Sequence, residues 1–128
     1  GVAGRPFLNA PADYPGYFGN ALLIRTVSAV SGACLLTTTQ TFERVGGMDA
    51  SLGREAAAVD YCLKVTAGGE RVVFTPWALL RRSAAAPVPG PSPADASELR
   101  RRWQARIDHD PYYSPHLTRR ALDYGVDA

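Results

Sequence analysis

Apolar positions along this chain fall into short blocks, and their spacing changes from block to block. Residues 21–25 (ALLIR) read as a short strand. Residues 27–37 are the best strand candidate, with Val27, Ala29 and then an unbroken apolar run from Ala33 to Leu36. Such a run suits a central strand covered on both faces. The pattern then turns helical over 40–45, where Phe42 and Val45 share a face. Thr38 or Thr39 can cap that helix by accepting from an orphan amide. Gly46 stands where a left-handed C-cap is expected, and Gly47 extends the turn. After a loop at 50–55, a second helix is predicted over 55–67, with Val59, Cys62, Leu63 and Ala67 as its apolar stripe and Gly68-Gly69 as its stop. Residues 70–75 (ERVVFT) read as a strand ended by Pro76, and 77–81 as a further short strand.

The flanks are less regular. Residues 1–20 are rich in Gly, Pro and aromatics, which forbids a long helix, and Tyr14, Tyr17 and Phe18 are expected to anchor this lead-in by burying their rings. Residues 84–94 hold four prolines and read as a crossing segment. Ser92, Pro93 and Asp95 then mark a helix start: a cap, a first helical residue and an acid reaching back. Leu99, Trp103 and Ile107 recur every four residues, so this last helix docks through one face, with Arg100, Arg101 and Arg102 partly on its solvated side. Residues 108–128 form a tail held by aromatic side chains. The order strand, helix, helix, strand, terminal helix is α/β: one domain over 1–128 with a short mixed sheet, flanking helices and a C-terminal helix. It is short for a free-standing doubly wound domain.

Composition narrows the function classes. The chain has 128 residues, 46% hydrophobic and 20% charged, which is globular and large enough for a core. No apolar run could span a bilayer, and the first residues lack the pattern of a signal peptide. A cytoplasmic location, or one peripheral to the inner membrane, is expected. The chain does not open on Met, so a processed chain or a piece cut from a longer protein is expected. The formal charge is +2, with thirteen Arg and one Lys. Residues 1–80 balance six basic against six acidic groups, and the remainder has eight Arg against six acids. That surplus is too small for nucleic-acid binding, which wants a concentrated basic stripe. Cys34 and Cys62 each lie in an apolar segment and are expected buried and reduced. His109 and His116 are too far off in sequence to complete a metal set with them.

The stretch SGACLL, TFERVGG, the Gly-Gly-Met-Asp turn at 46–49 and YCLKV, together with the ending DPYYSPHL, carries a resemblance. In this order the segments resemble the C-terminal half of bacterial family 2 glycosyltransferases of the GT-A type, rhamnosyltransferase-like enzymes that build O-antigen and related polysaccharides. The resemblance runs from about Tyr14 to Leu117. It implies a partial GT-A fold and a division of labour. An N-terminal half, missing here, would bind the nucleotide of the sugar donor and hold a divalent metal (Mg or Mn) through an Asp-x-Asp motif. The C-terminal half would supply the acceptor pocket and the general base that deprotonates the acceptor hydroxyl. No Asp-x-Asp of that kind and no Gly-rich phosphate loop occurs here; Asp108 and Asp110 are better read as capping a helix end.

Carried over by position, Gly32 and Ala33 match the small residues that line the donor-sugar pocket, though small residues there also simply permit tight packing. Asp49 matches the acid of the family's turn, and an Asx-turn to its own backbone is the simpler reading. Asp60 matches the second acid of the family's helix motif; it orients the helix or a neighbouring Arg, or else faces solvent. Where the family has an acidic pair followed by Val-Asp, this chain reads Ala57-Ala58-Val59-Asp60. Ala58 therefore stands at the expected base position, and a methyl cannot take a proton. Glu55 lies three residues earlier, roughly 5 Å along a helix axis, too far to substitute without a rebuilt site. Arg81 and Arg82 match positions where the family often has His. They could clamp a diphosphate directly, or be a surface pair.

These observations imply a piece of a glycosyltransferase whose substrates would be a nucleotide-sugar and a glycan acceptor, inactive when isolated. A non-catalytic relative that keeps the fold is the first alternative. A polyanion-binding module using Arg100, Arg101, Arg102, Arg106, Arg119 and Arg120 is a weaker one. Apolar surface left bare by the missing half makes a homo-oligomer an option.

Overall fold

The computed structural model of the chain describes residues 4, 10–11, 13–80, 90–118 and 124. Its elements run β1 (Arg25–Val27), α1 (Thr39–Arg44), α2 (Arg54–Ala67), β2 (Val72–Phe74) and α3 (Pro93–Asp108), with a 3-10 turn at Tyr17–Gly19 before them. Among the described residues the sheet is a two-stranded antiparallel ladder pairing Arg25 with Phe74 and Val27 with Val72. The α/β class, the short sheet, the flanking helices and the C-terminal helix are as expected.

The helix ends follow local chemistry. Thr38 Oγ1 accepts from the Thr41 amide at 3.1 Å and caps α1. Gly46 and Gly47 follow at φ +79° and +66°, and the Gly47 amide donates to Phe42 O at 2.8 Å. At α3 the predicted capping box is complete: Asp95 N donates to Ser92 Oγ, and Ser92 N donates to Asp95 Oδ2. Asp95 also accepts from the Gly53 amide at 3.2 Å, which ties the start of α3 to the start of α2. A Cβ on residue 53 would fall 2.8 Å from Asp95 Oδ2, so a larger residue there would have to displace that carboxylate.

The core wraps around α2. Ala56, Ala57, Ala58, Tyr61, Cys62, Leu63 and Val65 are buried, and Leu99 of α3 is sealed against them. Full burial of a leucine contributes about 2 kcal/mol. The stripe read from the sequence is only half right: Cys62 and Leu63 are buried, Val59 is half-buried and Ala67 is exposed. The small Ala56-Ala57-Ala58 run lets neighbours approach on several sides, so burial is set by closeness of packing rather than by the bulkiest residues.

Four expectations are corrected. Residues 28–37 are not strand; of the predicted 27–37 only Val27 belongs to β1. Ser31 Oγ takes the Ala33 amide at 3.2 Å and Ser31 O takes the Cys34 amide, so local bonds displace a ladder. Cys34 is exposed, not buried, whereas Cys62 is buried, and both are free thiols. Tyr14, Tyr17 and Phe18 do not bury their rings; Phe18 is 88% exposed, at φ +48°. Tyr17 instead stacks on Tyr124 at 5.3 Å, and Tyr124 also meets Tyr113, so the aromatic tail holds the lead-in. Residues 77–80 form no strand. Residue 81 and most of the proline-rich crossing, 84–89, lie outside the described residues.

The antiparallel register places residues 22–24 and 77–80 at the same end of the ladder. There Leu22, Leu23, Ile24, Trp77, Leu79 and Leu80 are all exposed. Among the described residues, no helix is long and apolar enough to cross a membrane.

Candidate functional site

Two faces of α2 carry the residues singled out from the sequence. The first faces the loop after β1. Gly32 lies directly on Ala58: a Cβ on residue 32 would come within 3.0 Å of Ala58 Cβ and 3.5 Å of Arg54 O. Ala58 is 0% exposed. One turn earlier, Glu55 Oε2 accepts from Ser31 Oγ at 3.1 Å, and the Arg54 guanidinium lies 3.8 Å from its other oxygen. The fold therefore brings Ser31, Gly32, Glu55 and Ala58 together, with Ala33 exposed beside them. Glu55 is the ionisable group of this cluster, and no titratable side chain stands at residue 58.

The second face meets α3 and is built on charge. Asp60 is fully buried. Its Oδ1 accepts from Trp103 Nε1 at 2.9 Å and lies 3.4 Å from Arg102 Nη1; its Oδ2 pairs with Lys64 Nζ at 2.7 Å. Burial pushes its pKa up, but the hydrogen bonds from Lys64 and Trp103 and the charges of Lys64 and Arg102 outweigh that and hold it below the usual carboxylate range. Arg102 also reaches Asp49 Oδ2 at 2.8 Å and Glu98 Oε1 at 2.6 Å, so one guanidinium joins the glycine turn, α2 and α3. Asp49 makes the expected Asx-turn, accepting from Ser51 N and Oγ. Those Ser51 bonds, with Arg102, press its pKa far down. Glu98 is lowered to about 2 by hydrogen bonds from Arg101 and Arg102.

Of the two readings of Asp60, the structure realises the one in which it holds a neighbouring Arg. Arg102 itself escaped the sequence reading, which put it with its two neighbours toward solvent. The signals were its spacing of four from Glu98 and three from Leu99. Its inward turn breaks up the run of three arginines, and Arg101 is paired to Glu98. Asp60 points away from the Gly32–Ala58 contact, so the sequence-predicted site divides over two faces of one helix. Arg81, Arg82, Arg119 and Arg120 lie outside the described residues.

Asp49, Asp60 and Glu98 each already face an Arg or Lys. Among the described residues no three His, Cys, Asp or Glu side chains converge as a metal site would require.

No family model matches the chain, and no solved structure matches it. It is 35% identical over 133 aligned residues to the uncharacterized protein y4gI of Sinorhizobium fredii (strain NBRC 101917 / NGR234), covering 97% of this chain and 15% of that protein. It is 33% identical over 135 aligned residues to the O-antigen biosynthesis protein RfbC of Myxococcus xanthus, covering 98% of this chain and 10% of that protein. The chain is thus similar along nearly its whole length to a small part of each of two much larger proteins, one of them named for O-antigen biosynthesis.

Proposed function

We propose that this chain is the acceptor-side piece of a family 2-like glycosyltransferase of polysaccharide biosynthesis. The parent protein transfers a sugar from a nucleotide-diphospho-sugar to a glycan acceptor, and the isolated piece does not. The observation that carries this reading is the collinear likeness to RfbC over 98% of the chain. It fits the motif order around SGACLL, TFERVGG and YCLKV. The exposed apolar residues at one end of the ladder add support: Leu22–Ile24 and 77–80 present the kind of surface that a larger protein covers. The nucleotide and the divalent metal belong to the rest of the parent in this reading, which is supported by Asp49, Asp60 and Glu98 each already facing an Arg or Lys. A cytoplasmic or membrane-peripheral location goes with this reading.

A second reading has its own observation. Ala58 is sealed against Gly32 with no titratable side chain at that position, which favours a non-catalytic relative. Two measurements separate the cases. Calorimetry of the 128-residue chain with UDP- and dTDP-sugars plus Mn²⁺ or Mg²⁺ should show weak binding or none; a micromolar dissociation constant sinks the division of labour. A sugar-transfer assay on the full-length parent then decides activity. Transfer that survives Glu55→Gln supports an enzyme whose base lies elsewhere, transfer abolished by Glu55→Gln assigns the base to Glu55, and no transfer at all supports the non-catalytic relative.

A further inference from the structure

A pocket of about 250 Å³ opens at the other end of α2, away from the Gly32–Ala58 contact. Five segments meet there. Leu63 and Thr66 come from the last turns of α2, Arg71 from just before β2, Arg106 from the last turn of α3, Ser28 from just after β1, and Tyr112 from the tail. At 1.5 Å per helical residue, Leu63 and Thr66 stand roughly 8–12 Å along the axis from Ala58, so this is a separate place on the molecule.

Two arginines and one acid, Glu70, line it. Arg71 and Arg106 both line it, and among the described residues neither is in ion-pair contact with a carboxylate. Arg106 Nη1 lies 3.4 Å from Thr66 Oγ1, which steadies the guanidinium against the wall. The acid of the lining, Glu70, and the neighbouring Asp110 already have partners. Glu70 pairs with Arg44 and accepts from Thr41 Oγ1. Asp110 accepts from Ser28 Oγ at 2.6 Å and from the Tyr112 amide at 2.9 Å. Beside the Arg44-paired Glu70 the lining offers two guanidinium forks, a tyrosine ring, an apolar floor, and the lone pairs of two hydroxyls whose protons go to Asp110 and Leu63 O. Forked cations select carboxylate or phosphate oxygens; a ring beside hydroxyls suits the mixed faces of a sugar. The volume is below the ~300–1,000 Å³ of pockets for drug-sized ligands, which limits the occupant to about one sugar unit.

We propose that this pocket binds a single sugar unit bearing a carboxylate or phosphate, as part of an acidic glycan or a sugar phosphate. Its saccharide half rests on the polysaccharide reading above; its anionic half rests on Arg71 and Arg106 alone. The test titrates the 128-residue chain, by NMR shift perturbation, with a glucuronate-containing disaccharide, glucose 1-phosphate, the matching neutral disaccharide and inorganic phosphate. The expected result is binding of one or both anionic sugars, which also identifies the oxyanion, with shifts at Thr66, Arg71 and Tyr112 and weakening by added salt. Arg71→Gln and Arg106→Gln should each weaken it about tenfold with circular dichroism unchanged. Arg71 and Arg106 are both exposed, so each variant reads binding rather than fold. Neutral sugar binding as tightly as the anionic ones, inorganic phosphate binding as tightly as the sugars, no binding, or arginine variants without effect would each overturn the proposal. None of these outcomes bears on sugar transfer by the full-length parent, which its own assay decides.

Discussion

Replacing Asp60 by Asn should destabilise the fold by about 2 kcal/mol, and by Ala about 3–4 kcal/mol. The magnitude follows from its partners. The Trp103 indole N–H, 2.9 Å away, donates to a charged acceptor, a bond of about 1.5–3 kcal/mol. The Lys64 ammonium at 2.7 Å has a quarter-exposed side chain and can return to water, so its share is only about 0.5–1 kcal/mol. The carboxylate's own desolvation offsets part of both. Asn keeps an acceptor for Trp103 but loses the charge; Ala also leaves the indole unpaired and a small cavity. Urea unfolding followed by tryptophan fluorescence would register Asp60→Asn as a midpoint lowered by about 1 M for a slope near ~2 kcal/mol/M. Asp60 has a depressed pKa in the folded state. Its contribution is therefore present above its unfolded value, about 3.9, and fades as the pH falls through the lower folded value. The gap between wild type and Asp60→Asn should narrow below about pH 4. An unchanged midpoint at pH 7, or a gap that stays constant down to pH 3, would refute the argument that this buried carboxylate holds α2 to α3.

Other consequences are directly measurable. Gly32→Ala should cost about 1–2 kcal/mol by forcing a methyl to 3.0 Å from the buried Ala58 Cβ, whereas Gly90→Ala, with open space around it, should be silent in the same melt. Ser92→Ala should cost about 1 kcal/mol by removing the cap that accepts from Asp95 N, read as a lower thermal midpoint. Native thiol labelling followed by mass spectrometry should modify Cys34 quickly and Cys62 only after denaturant, because Cys34 is exposed while burial also raises the Cys62 pKa. Acid titration by circular dichroism should show stability falling between about pH 4.5 and 2 as Glu98, lowered to about 2 by Arg101 and Arg102, takes its proton; Glu98→Gln should flatten that part of the curve.

The punctuation of this chain was legible in its sequence. Thr38 before α1, Gly46 and Gly68 after helices, and the Ser92-Pro93-Asp95 start of α3 act through bonds to amides and carbonyls a few residues away, so their partners are already written nearby. The α/β class followed from those stops and the spacing between them. What needed the tertiary structure was every choice of a distant partner. The apolar run at 33–36 looked like a central strand, but a strand exists only beside another strand; among the described residues none pairs with it, Ser31 makes local turns and Leu36 stays 98% exposed. Three consecutive arginines are alike as letters, and only the approach of α3 to α2 turns Arg102 onto Asp49 and Asp60 while Arg100 and Arg101 stay outside. Gly32 and Ala58 were both marked for the same site from the motif order, yet their contact, and the absence of any room between them, appears only once the loop closes over the helix. Short-range hydrogen bonds are encoded residue by residue, whereas burial and ion pairing depend on which surfaces meet when the chain folds.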